Sequence, residues 1–316
     1  MKIAVLFPGQ GSQFLGMGRE FIETDSDCAA IMEQAEAVCD FPLRKLCMDG
    51  PMEELTRAIH LQPAITVTNL VCWQALHKVL GKQATVGCFA GHSLGEYSAL
   101  CAAGVLSVED AIRLVAMRGM LTEREALQHP GSMRAVLGLG ITEVEGIVAR
   151  CAGAGIVTVA NHNTEQQIVV SGEVAALDAV SSLAAAEGAK VIPLAVSVAN
   201  HSPLVAGVIP DFAAFMAEVK FHRPLTPVYF NVLAAPEQEP AMIREIMARQ
   251  IASRVRWLES MQAMIAQGID TFIEVGPKAV LKGMIRKIAP KGYAYQALQV
   301  DTPESLAQCL AQLEIC

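Results

Sequence analysis

The sequence of 316 residues predicts an α/β fold, in which a large α/β-hydrolase-like subdomain is interrupted by a smaller ferredoxin-like subdomain. Three observations predict it. An apolar run at 3–7 ends in a glycine-rich turn, as the first strand of a doubly wound sheet does. A second apolar run at 86–90 leads through a sharp turn into a helix-forming run at 96–103. Between 131 and 197 the predicted elements follow the order βαββαβ, which is the ferredoxin-like arrangement.

The turn after the first strand contains Pro8, Gly9 and Gln10. It lacks the G-x-G-x-x-G spacing and any P-loop lysine, so a phosphate-binding role is not indicated. A backbone amide near Gln10 would instead lie at the sheet edge where the second strand also ends. An oxyanion hole needs one amide from such a separate loop, and we expect Gln10 to supply it. The alternative is an ordinary tight turn.

The turn after the second strand reads Gly91-His92-Ser93-Leu94-Gly95, which has the G-x-S-x-G spacing of a nucleophile elbow. Such a turn forces the serine into a crowded backbone conformation, for which the flanking glycines leave room. Ser93 is therefore predicted to be a nucleophile, and the amide of Leu94 is predicted to stabilise an oxyanion. The alternative is structural, since small residues also pack tightly at strand-to-helix turns.

The middle of the chain is assigned to an insertion at 130–197, and residues 1–129 with 198–316 form the large subdomain. The insertion's strands are predicted at 133–139, 156–160, 167–170 and 190–196, and its helices at 142–151 and 174–187. Thr142 is expected to cap the first helix with Glu145 three residues on, and 161–166 is expected to be a polar turn. A cleft should lie between the two parts, with the elbow at its floor.

Composition excludes several classes of protein. With 53% hydrophobic and 18% charged residues, the chain can bury a large core and does not resemble a disordered protein. A net charge of −8 argues against nucleic acid as a partner. No apolar stretch of about eighteen residues or signal peptide is present, so no membrane association is predicted. Nine cysteines without a C-x-x-C pair predict reduced, buried thiols and a cytoplasmic protein.

The serine needs a general base, and seven histidines are available. His162 and His201 each end an apolar segment within the same four residues, Val-Ala-Asn-His, and the residues alone do not separate them. His92 lies inside the elbow and is expected to point away from Ser93, in a supporting role. No acidic residue stands out as a third member of a triad.

Six blocks of this sequence resemble those of a known enzyme family. The chain is similar to the malonyl-CoA:acyl carrier protein transacylases, and to the acyltransferase domains of polyketide synthases, from residue 3 to about residue 290. The blocks share the family's order and rough spacing: F-P-G-Q-G-S-Q at 7–13, Q-P-A at 62–64, G-H-S-L-G-E-Y at 91–97, M-R-G at 117–119, N-H-S at 200–202 and E-V-G-P at 274–277.

The resemblance implies transfer of a malonyl group from malonyl-CoA to acyl carrier protein through an acyl-serine, without a metal or redox cofactor. It implies that His201 is the base, with His162 as the fallback, and that a backbone carbonyl near Gln250 orients it. It also implies that Arg118, on a predicted helix at 111–121, binds the substrate's free carboxylate. A guanidinium suits that task because it forms two parallel charge-assisted hydrogen bonds. The alternative for Arg118 is a solvated face or a structural ion pair.

Two departures from the family limit the substrate assignment. Polyketide acyltransferases tend to have Phe beside the histidine for malonyl and Ser for methylmalonyl, whereas this chain has Asn200. A branched extender such as methylmalonyl therefore stays open. Arg134 stands where the family usually has a small residue, and it is expected to face solvent near the hinge.

Two other function classes are weighed. An α/β-hydrolase acting on acyl thioesters predicts an H-G-G-G-type loop and a clear acid between serine and histidine, and neither is found. A non-catalytic subunit that binds carrier protein predicts a damaged serine–histidine pair, whereas Ser93 and His201 are both present. Fatty acid and polyketide synthesis are not distinguished.

The segment between Glu274 and Asp301 has five basic residues and no acidic one. If 279–288 is helical, positions 278, 282 and 286 lie on one face. We expect Lys282, Arg286 and Lys287 to steer the acidic carrier protein to the cleft. The alternative is a solvated helix face, with cations favoured near its C-terminal end.

Overall fold

The computed structural model describes residues 1–81, 83–196 and 198–315. Its strands are β1 (Ile3–Phe7), β2 (Val86–Gly91), β3 (Ser132–Leu137), β4 (Val157–Thr164), β5 (Gln167–Gly172), β6 (Lys190–Pro193), β7 (Val228–Phe230), β8 (Ala235–Pro236), β9 (Thr271–Val275) and β10 (Gln296–Val300). Its helices are α1 (Arg19–Thr24), α2 (Ser26–Val38), α3 (Leu43–Asp49), α4 (Met52–Thr56), α5 (Ala58–Leu80), α6 (Gly95–Ala102), α7 (Val108–Gln128), α8 (Ile141–Arg150), α9 (Val174–Ala186), α10 (Val208–Ala217), α11 (Pro240–Gln250), α12 (Trp257–Ala266), α13 (Val280–Ile288) and α14 (Pro303–Gln312). None of these described helices is long and apolar enough to cross a bilayer.

The larger sheet has the strand order β10-β9-β1-β2-β7-β8, and all its pairs are parallel except the last. Every residue of β1 is buried, because apolar clusters cover both faces of the sheet. Phe7 at the end of β1 pairs in register with Gly91 at the end of β2. The glycine-rich turn and the elbow therefore leave the sheet side by side, as predicted.

The smaller sheet has the order β4-β5-β3-β6 and is antiparallel throughout. If the four strands are numbered along the chain and the sheet is followed from β6 to β4, their order is fourth, first, third, second, which is the ferredoxin-like order. Apolar residues of β3, β5, α8 and α9 form a separate core for this sheet. The α/β fold with an inserted ferredoxin-like unit is thus confirmed. The exact boundaries at 130 and 197 stay a prediction, and Ser197 itself lies outside the described residues.

The predicted polar turn at 161–166 is wrong for its first four residues. Strand β4 continues to Thr164, which leaves Glu165 and Gln166 for the turn. The extension is held by the segment before α12, because the His162 N–H donates to the Val255 carbonyl at 2.9 Å. The Val255 N–H in turn donates to the carbonyl of Ala160 at 2.8 Å. Pairing with a distant segment therefore overrides the local polarity of these residues.

The predicted cap of α8 is also wrong. The helix begins at Ile141, one residue before Thr142, and Gly140 precedes it in an extended conformation. The carboxylate of Glu143 accepts the Gly140 N–H at 2.7 Å, which is the reaching-back half of a capping box. Glu145, the expected capping partner, instead forms an ion pair with Arg254 at 2.7 Å.

Arg134 was expected to face solvent near the hinge, but its side chain is mostly buried. Its side chain is 16% exposed and connects β3 to α9. It donates to the Leu177 carbonyl at 3.0 Å and to Ser181 Oγ at 2.6 Å, and it pairs with Asp178. A long side chain at this position therefore fastens a helix to the small sheet, and a small residue would leave that contact unmade.

Candidate active site

Ser93 lies in a strained turn between β2 and α6. Its φ is 50°, in the left-handed region that side chains with a Cβ rarely adopt. A Cβ on Gly91 would lie 1.9 Å from Gly95 C, and one on Gly95 would lie 2.1 Å from Phe7 O. Both glycines are therefore required by close backbone approach, as the elbow predicted.

The serine hydroxyl lies against an imidazole from another part of the chain. Ser93 Oγ and His201 Nε2 are 2.7 Å apart. On the other side of the ring, Nδ1 lies 2.9 Å from the Ser253 carbonyl and 3.2 Å from the Gln250 carbonyl. Carbonyl oxygens only accept, so Nδ1 carries the proton and Nε2 is left to accept the serine's. Two backbone carbonyls thus orient this histidine, and the nearer one belongs to Ser253.

The imidazole of His201 is neutral in this environment. Burial lowers its pKa to about 3, and the positive charge of Arg118 and the neighbouring His92 add to that effect. The two carbonyls at Nδ1 oppose the shift but do not reverse it. Above about pH 3 the ring is uncharged, which is the state that can remove a proton from a hydroxyl.

The geometry favours His201, which the resemblance implied, over His162 in the other Val-Ala-Asn-His segment. His162 lies within β4, is 8% exposed and does not line the cavity around Ser93. Its neighbours Asn161 and Asn163 do line it. Only His201 of the two is brought to the serine.

Two backbone amides are available near the serine. Among the described residues, neither the Leu94 N–H nor the Gln10 N–H has a hydrogen-bond partner. The loop that carries Gln10 is packed tightly on the elbow, because a Cβ on Gly9 would meet His92 O at 2.5 Å and Leu94 N at 3.6 Å. Both predicted oxyanion donors therefore stand at the mouth of the same turn, unpaired and ready to donate.

Arg118 reaches the serine from α7. It is 4% exposed, and its Nη2 lies 3.5 Å from Ser93 Oγ. Amide oxygens hold the guanidinium: Gln62 Oε1 accepts from Nη1 at 2.8 Å and Gln250 Oε1 from Nη2 at 3.3 Å. The ring of Tyr97 lies 5.8 Å below it. This geometry excludes the solvated face and the structural ion pair that were the alternatives for Arg118.

Three buried residues to which the sequence analysis gave no role hold the elbow or Arg118. Asn231 Oδ1 accepts the Ser93 N–H at 2.7 Å, and Gln62 holds Arg118 as described. Glu96 accepts the Asn231 N–H and Gln250 Nε2, each at 2.6 Å. An isolated acidic residue in an otherwise apolar helix was the available signal for Glu96. Gln250, predicted as supporting, acts through its side chain on Ser93 rather than on the histidine.

His92 points away from the serine, as expected. Its Nε2 lies 2.8 Å from Asn163 Oδ1, and its ring packs edge-on against Trp257. Burial lowers its pKa. It therefore links the elbow to strand β4 of the small sheet without contacting the serine hydroxyl.

A cavity of about 180 Å³ joins these groups between the two sheets. Ser93 and His201 lie on one side of it, and residues of β3, β4 and β5 lie on the other. A second cavity of about 520 Å³ shares Gln10, Val196 and Asn200 with the first. Asn200 Oδ1 is buried and has no hydrogen-bond partner among the described residues. The predicted cleft is present, with the elbow at its floor.

Comparison with known proteins agrees with this geometry. A family model for the acyl transferase domain matches residues 5–298. The malonyl CoA-acyl carrier protein transacylase of Bacillus subtilis is 36% identical over 315 residues, which cover 99% of this chain and 98% of the relative. The crystal structure of malonyl-CoA:acyl carrier protein transacylase from Xanthomonas oryzae pv. oryzae is 36% identical, covers 99% of each chain and superposes with a TM-score of 0.93.

A third similar structure is a malonyl-transacylase in complex with a type II polyketide synthase acyl-carrier protein. It is 34% identical, covers 99% of this chain and 100% of its own, and has a TM-score of 0.93. The family model and these relatives all extend over nearly the whole chain. This protein is therefore an acyltransferase that belongs to the malonyl-CoA:acyl carrier protein transacylase family.

Proposed function

We propose that this enzyme transfers a malonyl group from malonyl-CoA to the phosphopantetheine thiol of acyl carrier protein. One observation carries the proposal: the guanidinium of Arg118 lies 3.5 Å from the hydroxyl of Ser93, inside the cleft where His201 holds that hydroxyl. A buried guanidinium beside a nucleophile favours an acyl group that carries its own carboxylate. Malonyl is the acyl group named for the relatives.

In the first half-reaction, Ser93 Oγ attacks the thioester carbonyl while His201 Nε2 takes the serine proton. The Leu94 and Gln10 amides donate to the oxyanion that forms, and such donors are worth roughly 3–4 kcal/mol each in other oxyanion holes. The carbon–sulfur bond then breaks, and His201 returns the proton to the departing coenzyme A thiol.

In the second half-reaction, the carrier protein's thiol gives its proton to His201 and attacks the malonyl-serine ester. The tetrahedral adduct collapses, Ser93 recovers its proton, and malonyl leaves on the carrier protein. This is ping-pong kinetics. Nucleophile, base and oxyanion donors supply what acyl transfer requires, so the proposal includes no metal or redox cofactor.

The same proposal assigns Lys282, Arg286 and Lys287 to docking of the carrier protein. Arg286 and Lys287 are exposed on α13, and Lys282 is half-buried. The apolar side of this helix, Val280 with Leu281 and Met284, lines the cavity around Ser93. A basic face on the helix that walls the cleft is well placed to receive an acidic protein.

Fatty acid synthesis and polyketide synthesis are both candidate pathways, because each uses malonyl carried on such a protein. We place the enzyme in the cytoplasm. Eight of its nine cysteines lie among the described residues, and all eight are free thiols. Free, mostly buried thiols are typical of proteins in a reducing compartment.

Mass spectrometry of the intact protein tests the proposal. After incubation with malonyl-CoA, the wild type should gain one malonyl group, and Ser93→Ala should gain none. His201→Ala should slow the labelling by about 10²–10⁴-fold, since a general base contributes that much. His162→Ala, in the matching four-residue segment, is the control and should label at the wild-type rate.

Stoichiometric labelling of Ser93→Ala would rule out the acyl-serine. Parallel incubations with methylmalonyl-CoA and acetyl-CoA define the acyl group. Faster labelling by methylmalonyl would assign a branched extender instead, and Asn200 is the departure that keeps this alternative open. Labelling that is lost to water rather than passed to carrier protein would indicate a hydrolase.

A further inference from the structure

Glu96 is a buried carboxyl group with no direct part in the proposed reaction. It lies in the first turn of α6 and has 0% of its surface exposed. Oε1 accepts the Asn231 N–H at 2.6 Å, and Oε2 accepts Gln250 Nε2 at 2.6 Å. Burying a carboxylate costs free energy, so its two hydrogen-bond partners, Asn231 and Gln250, indicate its role.

Both partners of Glu96 hold the nucleophile. The side chain of Asn231 accepts the Ser93 N–H at 2.7 Å, and Gln250 Nε2 donates to the Ser93 carbonyl at 2.8 Å. Ser93 has a strained backbone, which persists only where surrounding contacts fix it. Glu96 thus supports the N–H of Ser93 through Asn231 and the carbonyl of Ser93 through Gln250.

Gln250 also connects Glu96 to Arg118. Its Nε2 uses both hydrogens, one toward Glu96 and one toward the Ser93 carbonyl, so Oε1 must be the atom that faces Arg118 Nη2 at 3.3 Å. A guanidinium only donates hydrogen bonds, and it therefore requires the oxygen rather than the nitrogen of this amide. The Glu96 carboxylate therefore determines that Gln250 presents its oxygen, and not its nitrogen, to Arg118.

We propose that Glu96 is a positioning residue, whose carboxylate acts through Gln250 to hold Arg118 in the orientation that receives the substrate's carboxylate. The inference rests on the proposed malonyl transfer. Among the described residues, no carboxylate lies within ion-pair distance of Arg118. Once ionised, Glu96 is the nearby anion that offsets the charge of Arg118, and the amide of Gln250 lies between them.

Replacing the carboxylate with an amide reverses this arrangement. In Glu96→Gln the new oxygen must face the fixed Asn231 N–H, which turns the new NH2 toward Gln250. Gln250 must rotate to accept it, and its own NH2 then faces the guanidinium of Arg118. Because two hydrogen-bond donors then face each other, Arg118 is displaced. Loading of a neutral acyl group does not need Arg118, so it is affected only through the weaker support of Ser93.

The experiment measures malonyl and acetyl loading of Ser93 under single-turnover conditions. Above about pH 8, where Glu96 of the wild type is ionised, the ratio of malonyl to acetyl loading should be about tenfold lower in Glu96→Gln. Gln250→Ala should lower it similarly, and the double variant should be no worse than either single variant, because both act on one path. Glu125→Gln is the matched control: it is another buried carboxyl, on α7, bound to Arg124, and it should leave the ratio unchanged.

Protonation of Glu96 provides a second readout. Burial raises its pKa to about 8, against the N–H donors of Asn231 and Gln250 and the charge of Arg118. The other titratable groups around it keep one state near that pH, since burial raises the pKa of Tyr97 and lowers those of His92 and His201. As pH rises through about 8 the carboxylate forms, so the wild-type ratio should rise and that of Glu96→Gln should stay flat.

An unchanged ratio in Glu96→Gln, additive losses in the double variant, or the same pH profile in both proteins would overturn the inference. Gln250→Ala keeps it testable if Glu96→Gln does not fold, because that variant must lower the ratio by itself. Failure of the wild type to load malonyl would instead overturn the proposed function, so the two failures are distinguishable.

Discussion

At the scale of single residues, the site combines a weak base with a cation that weakens it further. The charge of Arg118 is one cause of the low pKa of His201, after burial. A substrate carboxylate that pairs with Arg118 neutralises this charge and makes His201 easier to protonate. Bound malonyl would therefore raise the pKa of His201 and make it a stronger base, whereas an acetyl group has no carboxylate and cannot do so.

Replacing Arg118 tests this coupling. In Arg118→Ala, malonyl loading should fall by about 10²-fold or more, because the buried carboxylate loses its charged partner. Acetyl loading should be equal or faster, because the pKa of His201 rises when the neighbouring charge is removed. Single-turnover loading measures the first effect, and NMR titration of His201 measures the second.

Arg113→Ala is the matched control, since Arg113 lies on the same helix but stacks on Phe215. It should change neither acyl preference nor the titration. Equal losses of malonyl and acetyl loading in Arg118→Ala would mean that Arg118 supports the fold and not the carboxylate.

Short motifs predicted the groups of the elbow itself, and the family resemblance implied Arg118, His201 and Gln250. Glu96 and Asn231, whose roles depend on long-range contacts, were missed. The spacing around Ser93 is local, so the elbow and the Leu94 amide could be read directly. Glu96 meets its partners Asn231 and Gln250 from 135 and 154 residues away. No periodicity encodes such contacts. The choice between two identical four-residue segments likewise depends on which one the fold brings to the serine.

At the scale of elements, helix α13 depends on a buried acid at the end of β9. Glu274 is 0% exposed, and its carboxylate accepts the N–H groups of Val280, Leu281 and Lys282 at 3.0, 3.0 and 2.7 Å. These are three of the donors that a helix N-terminus leaves unpaired, and a negative charge is favoured there. The same helix walls the cleft, so this cap positions part of the site.

Glu274→Gln should loosen the start of α13. An amide offers one acceptor oxygen in place of two, and its NH2 faces backbone donors, which costs about 1–3 kcal/mol for each buried group left unsatisfied. Hydrogen exchange of the three amides should accelerate by about tenfold to hundredfold. Glu304→Gln, an exposed acid in the first turn of α14, is the control. Unchanged exchange in Glu274→Gln would show that the cap does not hold the helix.

The elements themselves followed the sequence closely where hydrophobic periodicity decides, as in β1, β2 and the whole order of the inserted unit. They departed from it at ends. The Asn-His-Asn-Thr stretch of β4 reads as a turn, yet pairing with Val255 makes it strand. The start of α8 was misassigned because Thr142 is a good cap by type, whereas Gly140 precedes the helix and Glu143 reaches back to it. Element ends depend on such partners, which local propensity does not contain.

At the scale of the whole molecule, charge is unevenly distributed. The chain has a net charge of −8, but α13, whose apolar side lines the cleft, carries Lys282, Arg286 and Lys287 outside that cavity. Among the described residues, no ion pair with an acidic side chain forms at these three. Lys278 was expected to share a face with Lys282 and Arg286, but it precedes the helix with a φ of 62°, and its Nζ donates to the carbonyl of Gly11 at 3.4 Å.

Reversing the charge of this face tests docking. Two proteins of the same sign repel at long range, so association requires a local patch of opposite charge, which can raise encounter rates by about 10–10³-fold at low salt. In the triple variant Lys282→Glu, Arg286→Glu and Lys287→Glu, the KM for carrier protein should rise by about tenfold and its dependence on salt should flatten. Self-malonylation from malonyl-CoA should be unchanged, because that half-reaction does not involve the carrier protein.

The control must change net charge equally without touching α13. Reversal of Lys45, Lys220 and Arg223 does so, since all three are exposed and none lines the cavity around Ser93. Its KM for carrier protein should rise far less, because repulsion spread over the surface is screened beyond a Debye length of about 10 Å at 0.1 M salt. If both half-reactions fell together in the α13 variant, the patch would serve coenzyme A or the fold. If the two triple variants behaved alike, the basic residues of α13 would be an ordinary solvated face, and orientation of the carrier protein would have to come from contacts elsewhere.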